Sequence, residues 1–291
     1  MEGTEKYKVK LGLVMEGGAL KGVFSAGVTD ELMERGINFD GAIGVSAGAI
    51  FGTNVKSRQI GRCIRYNMHY CRDPRYVSLR SFLKTGDLFG GEFCFYTLTY
   101  ELDPFDVETF ACNPMEFYSV CTDVLTGKPI YYKCEKGDPK IDMPWIRASA
   151  TMPLLARIVE IDGGKYLDGG ISDSIPIKHM EELGYNKNVV VRTKPREYRM
   201  EKPWYIGMIR HKYRKYPQFV KAMENRYIMY NETLEYIAQR EKSGAAFVFQ
   251  PDEELVVGLA EHNPQKLMNS YEHGREVVCR QWDSFREWMD N

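Results

Sequence analysis

Phe39-Asp40-Gly41-Ala42-Ile43-Gly44-Val45-Ser46-Ala47-Gly48-Ala49 sets a serine between two glycines at the junction of two unlike runs. The run before it, Phe39 to Val45, is short and largely apolar, as a buried strand is. The run after it, Ala47 to Val55, opens in small residues and reads as a helix. Gly44-Val45-Ser46-Ala47-Gly48 therefore fits the G-x-S-x-G elbow that lifts a nucleophilic serine off the end of a strand. Such a turn strains the serine backbone, and the glycines let neighbouring chain pass close by. A helix starting right after the serine offers unpaired N–H groups and a positive dipole end to a developing oxyanion. The pentapeptide is short and built of common residues, so it needs partners elsewhere in the chain.

One partner lies upstream. Gly17-Gly18-Ala19-Leu20-Lys21-Gly22 follows the strand-like run Val9 to Met15. Phe24, Val28, Leu32 and Met33 then fall at helical spacing, with Gly36 as a C-cap. Glycines on a strand-to-helix turn serve dinucleotide loops, P-loops and oxyanion holes. No G-K-[ST] ends the cluster, so the P-loop fails. The dinucleotide fingerprint G-x-G-x-x-G fails at Ala19, although Asp40 stands where its acidic residue belongs. A tight βα turn without chemistry is the remaining alternative.

The other partner lies downstream. Lys165-Tyr166-Leu167-Asp168-Gly169-Gly170 ends a strand-like run in an aspartate and two glycines. Six residues earlier, Asp162-Gly163-Gly164 reads as the hairpin turn that feeds that strand. The same letters there do turn chemistry, so Asp168 gains weight only from its company.

With these three segments in order, the sequence resembles the patatin-like phospholipase family over residues 9 to 195. Leu13 to Gly22 looks like its oxyanion-hole block, Ile43 to Ala49 its nucleophile block, and Asp168-Gly169-Gly170 its D-G-[AG] block. Arg147-Ala148-Ser149-Ala150-Thr151-Met152-Pro153 resembles a further family segment ahead of the acid. The resemblance implies a three-layer α/β/α fold around a mainly parallel sheet. It implies a Ser46–Asp168 dyad, with Ser46 as nucleophile and Asp168 as general base. The backbone amides of Gly17, Gly18 and Ala19 would form the oxyanion hole, with Lys21 at the family's basic position. Gly22, Gly44, Gly48, Gly169 and Gly170 complete the motifs. The implied reaction is hydrolysis of lipid acyl esters through an acyl-enzyme, with no metal and no cofactor. The family usually carries glycine at the position of Ala19. If that residue needs a positive φ, alanine costs roughly 1 kcal/mol.

Three rival readings follow from the same residues. A Ser-Asp-His esterase or thioesterase would draw its base from His179, His211, His262 or His273, none of which sits in a glycine-rich loop after a clear strand. An acyltransferase of the malonyl-transferase type also carries G-x-S-x-G, and it too needs a histidine. A non-catalytic nucleotide- or ligand-binding module would use only the Gly17 turn.

Composition bounds the rest. The chain has 291 residues, enough for one large α/β domain with an extension. A net charge of −1 gives no global pull toward nucleic acid or anionic membrane. Seven cysteines without a C-x-x-C pair argue against a disulfide framework or zinc site and point to a reducing cytoplasm. Met1 to Lys10 is charged and lacks an apolar core, so it does not read as a signal peptide. No apolar run is long enough to span a membrane.

Residues 7–195 read as the catalytic domain and 196–291 as a mostly helical extension packing on it. Asn188 to Thr193 reads as a buried strand. Phe219, Val220, Met223, Tyr227, Tyr230, Leu234, Ile237 and Ala238 mark one face of an amphipathic helix ended by Gly244. Ala245 to Phe249 reads as a strand and Val277 to Met289 as a final helix. This third resembles an extension of some bacterial patatin-like proteins. Two stretches suit lipid contact. Phe82 to Phe105 is rich in aromatics and reads either as a lid or acyl-chain wall, or as a core strand and loop. Arg192 to Arg226 interleaves basic residues with Trp204, Tyr205, Tyr213 and Tyr216; a solvated linker or helix face is the plainer reading, and peripheral contact with head groups at an inner membrane face the other. The implied partner is a lipid ester substrate; the oligomeric state is left open.

Overall fold

The computed structural model describes residues 9–291. The reading of Met1 to Lys10 as a charged start therefore falls almost wholly outside the described residues. Leu11–Met15 (β1) is buried at every position, as a strand covered on both faces must be. The chain turns at Gly17–Gly22 into Val23–Glu34 (α1), returns as Gly41–Val45 (β2), and turns at Ser46 into Ala47–Lys56 (α2). Arg62–Tyr70 (α3), Leu79–Thr85 (α4), a π-helix at Phe93–Leu102 and Val107–Cys112 (α5) follow. Next come Glu116–Asp123 (β3), Pro129–Lys133 (β4), Met143–Ser149 (α6), Val159–Ile161 (β5), Gly164–Asp168 (β6), Ile177–Glu182 (α7) and Lys187–Val191 (β7). Ile206–Lys212 (α8), Pro217–Lys242 (α9), Ala246–Phe249 (β8) and Pro264–Asp290 (α10) complete the chain.

The strands form one eight-stranded sheet among the described residues. β3, β2, β1, β7 and β8 run parallel in that spatial order, while β4, β5 and β6 pair antiparallel at one end. The pleat sends alternate side chains of β1 to opposite cores. Leu13 and Met15 join Phe24, Phe51 and Phe249 on one face, under α1, α2 and α10. Val14 joins Ile43, Val45, Val190 and Val248 on the other, under α7 and α9. This is the three-layer α/β/α arrangement with a mainly parallel sheet that the sequence implied.

One detail of register positions the site. β2 pairs with β3 over residues 116–120, β6 over 121–123, and β4 over 118–122. β4 overlaps both of the others, so β2 and β6 must share the opposite edge of β3. They run toward each other along it, with Val45 beside Val120 and Asp168 beside Cys121. The carboxyl ends of the two strands therefore meet head to head.

Several local readings match the structure: β2 and α2 around Ser46, the Asp162–Gly163 hairpin between β5 and β6, and α9 with Gly244 beyond its end. Two differ. Phe82 to Phe105 holds no strand; it contains most of α4 and the π-helix, and Phe89 alone bridges in β fashion, to Val77. The last helix begins at Pro264 rather than Val277. Gly274 interrupts its periodicity in sequence but is packed in space, since a Cβ there would lie 2.2 Å from the Phe24 carbonyl oxygen of α1. Gly27 of α1 answers with a virtual Cβ 2.0 Å from the Tyr271 oxygen, so the two helices cross backbone to backbone. β8 extends the sheet by pairing with β7.

Candidate active site

Ser46 follows β2 with φ 55° and ψ −120°, a conformation L-residues avoid and the strained geometry of an elbow. Gly44 and Gly48 make it possible: a Cβ on Gly44 would sit 2.3 Å from the Gly48 oxygen, and one on Gly48 would sit 2.3 Å from the Met15 oxygen. Asp168 ends β6 directly opposite. Both side chains are buried, yet both line the same cleft.

The segment after α6 ties the two together. The Ser46 N–H donates to Ser149 Oγ at 2.9 Å, and the Asp168 N–H donates to the Thr151 oxygen, also at 2.9 Å. Residues 147–153 thus act as a brace that holds Ser46 and Asp168 in one frame.

Burial pushes the Asp168 carboxyl above its ordinary value, because an apolar site disfavours the charge. Three groups pull it back: the Arg226 guanidinium, the Gly170 N–H that donates to Oδ1 at 2.8 Å, and the facing Ser46 hydroxyl. The net direction is upward, which makes this aspartate a stronger base than a free one.

The Gly17–Ala19 turn passes beside Ser46, and a Cβ on Gly17 would lie 2.9 Å from the Ser46 Cβ. Gly18 is extended, but a side chain there would strike Thr193 Oγ1 at 2.6 Å. Ala19 adopts φ 48°, so the strain expected of an alanine at this family position is present. The amides of Gly17, Gly18 and Ala19 donate to no acceptor among the described residues. Glu16 anchors the turn from behind. Its buried carboxylate accepts the Thr193 N–H at 2.6 Å and the Tyr230 hydroxyl, while Thr193 Oγ1 donates to the Gly17 oxygen at 2.9 Å.

A family model described as patatin-like phospholipase matches residues 13–180, more than half of the chain. The chain belongs to the patatin-like phospholipase family. A second model, a domain of unknown function (DUF6363), matches residues 216–290. The chain is 32% identical over 213 residues to the uncharacterized protein YjjU of Escherichia coli (strain K12), covering 69% of this chain and 57% of that protein. It is 27% identical over 190 residues to lysophospholipase nte1 of Aspergillus terreus, covering 60% of this chain and 11% of the other. The chain thus spans little more than half of the first relative and a small part of the second. The crystal structure of VipD from Legionella pneumophila aligns over 95% of this chain and 67% of its own, with TM-score 0.47 and 13% identity.

In this member of the patatin-like phospholipase family, Ser46 stands between two cavities. The inner one is lined by Ile50 and Phe51 of α2 and walled by Phe89, Phe95 and Leu98. The π-helix supplies Phe95, Leu98 and Thr99 to that wall, so the aromatic stretch lines a cavity as a helix rather than as a strand. A π-helix is rare and concentrates at functional sites. The outer cleft is lined by Ser46, Asp168, the Gly17 turn and residues of α9.

The histidines lie elsewhere. His179 stacks on Tyr131 at 3.6 Å, His262 Nδ1 meets the Cys71 oxygen at 2.6 Å, His273 packs near Phe24, and His211 is exposed on α8. Neither cavity is lined by any of them. Lys21 lines the outer cleft but is paired with Glu254. Sequence reasoning missed Glu16, Ser149, Tyr230 and Arg226 as site residues. Arg226 had a legible signal, because it sits three residues after buried Met223 and four before buried Tyr230, on the inward face of α9.

Proposed function

We propose that this protein hydrolyses acyl esters of phospholipids or lysophospholipids through the Ser46–Asp168 dyad. The observation that carries the reading is the head-to-head meeting of β2 and β6, which delivers a strained serine and a buried carboxylate to one point between an apolar cavity and an open cleft. The acyl chain enters the inner cavity and its alcohol half occupies the outer cleft. Ser46 Oγ attacks the ester carbonyl while Asp168 takes its proton. The amides of Gly17, Gly18 and Ala19 hold the oxyanion, each such donor contributing about 3 kcal/mol. The proton then passes to the departing alkoxide, and water cleaves the acyl-enzyme by the same route.

The triad alternative finds no support in the placement of the histidines. The name of the Aspergillus relative, a lysophospholipase, agrees with a lipid substrate. Trp204 (87% exposed) and Met208 stand at the rim of the outer cleft, with Lys202 and Lys212 exposed nearby. That rim suits an anionic lipid surface, an idea that equal binding to neutral and anionic vesicles would remove.

Hydrolysis of a panel from short nitrophenyl esters to lysophospholipids and phospholipids tests the function. The wild type is expected to release fatty acid, and Ser46→Ala to release none above background. Turnover that persists in Ser46→Ala would assign the chemistry elsewhere.

A further inference from the structure

Among the described residues, three cationic side chains line the outer cleft: Lys21, Lys194 and Arg226. The first two are spent on one carboxylate. Lys21 pairs with Glu254, and Lys194 reaches the same oxygen at 2.8 Å. Arg226 is held differently. Its Nε donates to the Gly170 carbonyl oxygen at 2.6 Å, which fixes the guanidinium against the loop that carries the acid. Its two terminal nitrogens take part in no hydrogen bond or ion pair among the described residues.

The position is close to the chemistry. A methyl group on Gly170 would lie 3.1 Å from Asp168 Oδ1 and 3.4 Å from Arg226 Nη2, so acid and cation both border this glycine. Apolar walls from Met152, Leu155, Ile171 and Met200 surround the cleft and strengthen any charge pairing inside it. The acyl half of the substrate belongs to the cavity on the other side of Ser46, so Arg226 faces what is attached to the alcohol.

Resting on the dyad reading above, we propose that Arg226 is the recognition site for a phosphate carried by the alcohol half of the substrate. A glycerophospholipid places its phosphate only a few bonds from the scissile ester. A guanidinium with both terminal nitrogens open offers it a planar, two-pronged donor set. Lysophospholipids and phospholipids are then preferred over neutral esters of the same acyl chain. Seating the phosphate also engages the charge that pulls on Asp168, so the carboxylate becomes a stronger base when the right substrate is present. The region matched by the domain of unknown function contributes in this way to the catalytic cleft, with Arg226 set between Met223 and Tyr230 of α9.

Binding to the Ser46→Ala protein tests this without turnover. Calorimetry compares a monoacyl glycerophosphate, held below its micelle concentration, with the monoacylglycerol of the same chain and with inorganic phosphate. The glycerophosphate is expected to bind at least tenfold more tightly than the monoacylglycerol. Adding Arg226→Met is expected to erase that ratio, and adding Arg226→Lys to retain part of it. A ratio that survives Arg226→Met, or that is absent without it, overturns the proposal. So does an equal weakening of both lipids, which would make Arg226 a structural prop. Inorganic phosphate that binds as tightly as the lipid, dependent on Arg226, would assign the site to a free anion and also overturn it. Failure of the wild type to hydrolyse any ester would sink the dyad reading instead, while these binding ratios still judge Arg226.

Discussion

Asp162-Gly163-Gly164 and Asp168-Gly169-Gly170 spell the same three letters at the two ends of β6. The first is a hairpin turn, with Asp162 exposed at φ 49° and Gly163 at φ 80° with open space around it. The second is buried, holds its aspartate between Thr151, Gly170 and Arg226, and packs Gly169 against β3. Local chemistry cannot separate them. What separates them is the register of β6 on β3, which carries one carboxylate to the end of β2 and leaves the other in solvent.

The comparison breaks most visibly in activity. On the dyad account, Asp168→Asn lowers kcat/KM for a nitrophenyl ester by about 10³-fold, the scale of a lost general base. Asp162→Asn is expected to stay within a factor of two in the same assay. Stability sharpens the contrast at the glycines. A Cβ on Gly169 would lie 2.1 Å from the Val120 oxygen, so Gly169→Ala is expected to cost about 3 kcal/mol in denaturant melts. Gly163→Ala meets no neighbour and is expected to lose only about 1 kcal/mol, from its positive φ.

A smaller effect runs the other way. Burial raises the Asp168 pKa above its unfolded value, so the folded state binds more protons just above the ordinary carboxylate range. Stability is therefore lost as pH rises through that window. Asp168→Asn removes the buried charge and keeps an acceptor for the Gly170 N–H, so its Tm at neutral pH is expected to rise while activity falls. Asp162→Asn should leave Tm unchanged. The smallest effect concerns two non-glycine residues at positive φ. Aspartate tolerates that region and alanine does not, so Ala19→Gly is expected to gain up to about 1 kcal/mol and Asp162→Gly nothing.

Much of this was legible in the sequence because it is local. A strand, a glycine turn and a helix write themselves into consecutive residues, and so Ser46, the Gly17 turn and the β5–β6 hairpin could be read directly. Asp168 needed the order of three motifs, since its own letters recur at Asp162. The parts that escaped depend on distant chain. Glu16 acquires its role only when Thr193 and Tyr230 arrive, and Ser149 only when Ser46 N–H meets it. Arg226 was one basic residue among many until α9 laid it against Gly170. The first turns of α10 went unread, and the reason Gly274 sits within them appears only in space, where it admits the backbone of α1.

The central claim is that the acid at the strand junction, and no histidine, activates Ser46. The rate of Ser46 phosphonylation by a fluorophosphonate, followed against pH, tests it most directly. The account predicts a rate that climbs through a single carboxylate-like limb above the ordinary aspartate range, persists in Asp162→Asn and collapses in Asp168→Asn. Undiminished labelling in Asp168→Asn, or a limb near neutral pH that survives it, would contradict the account.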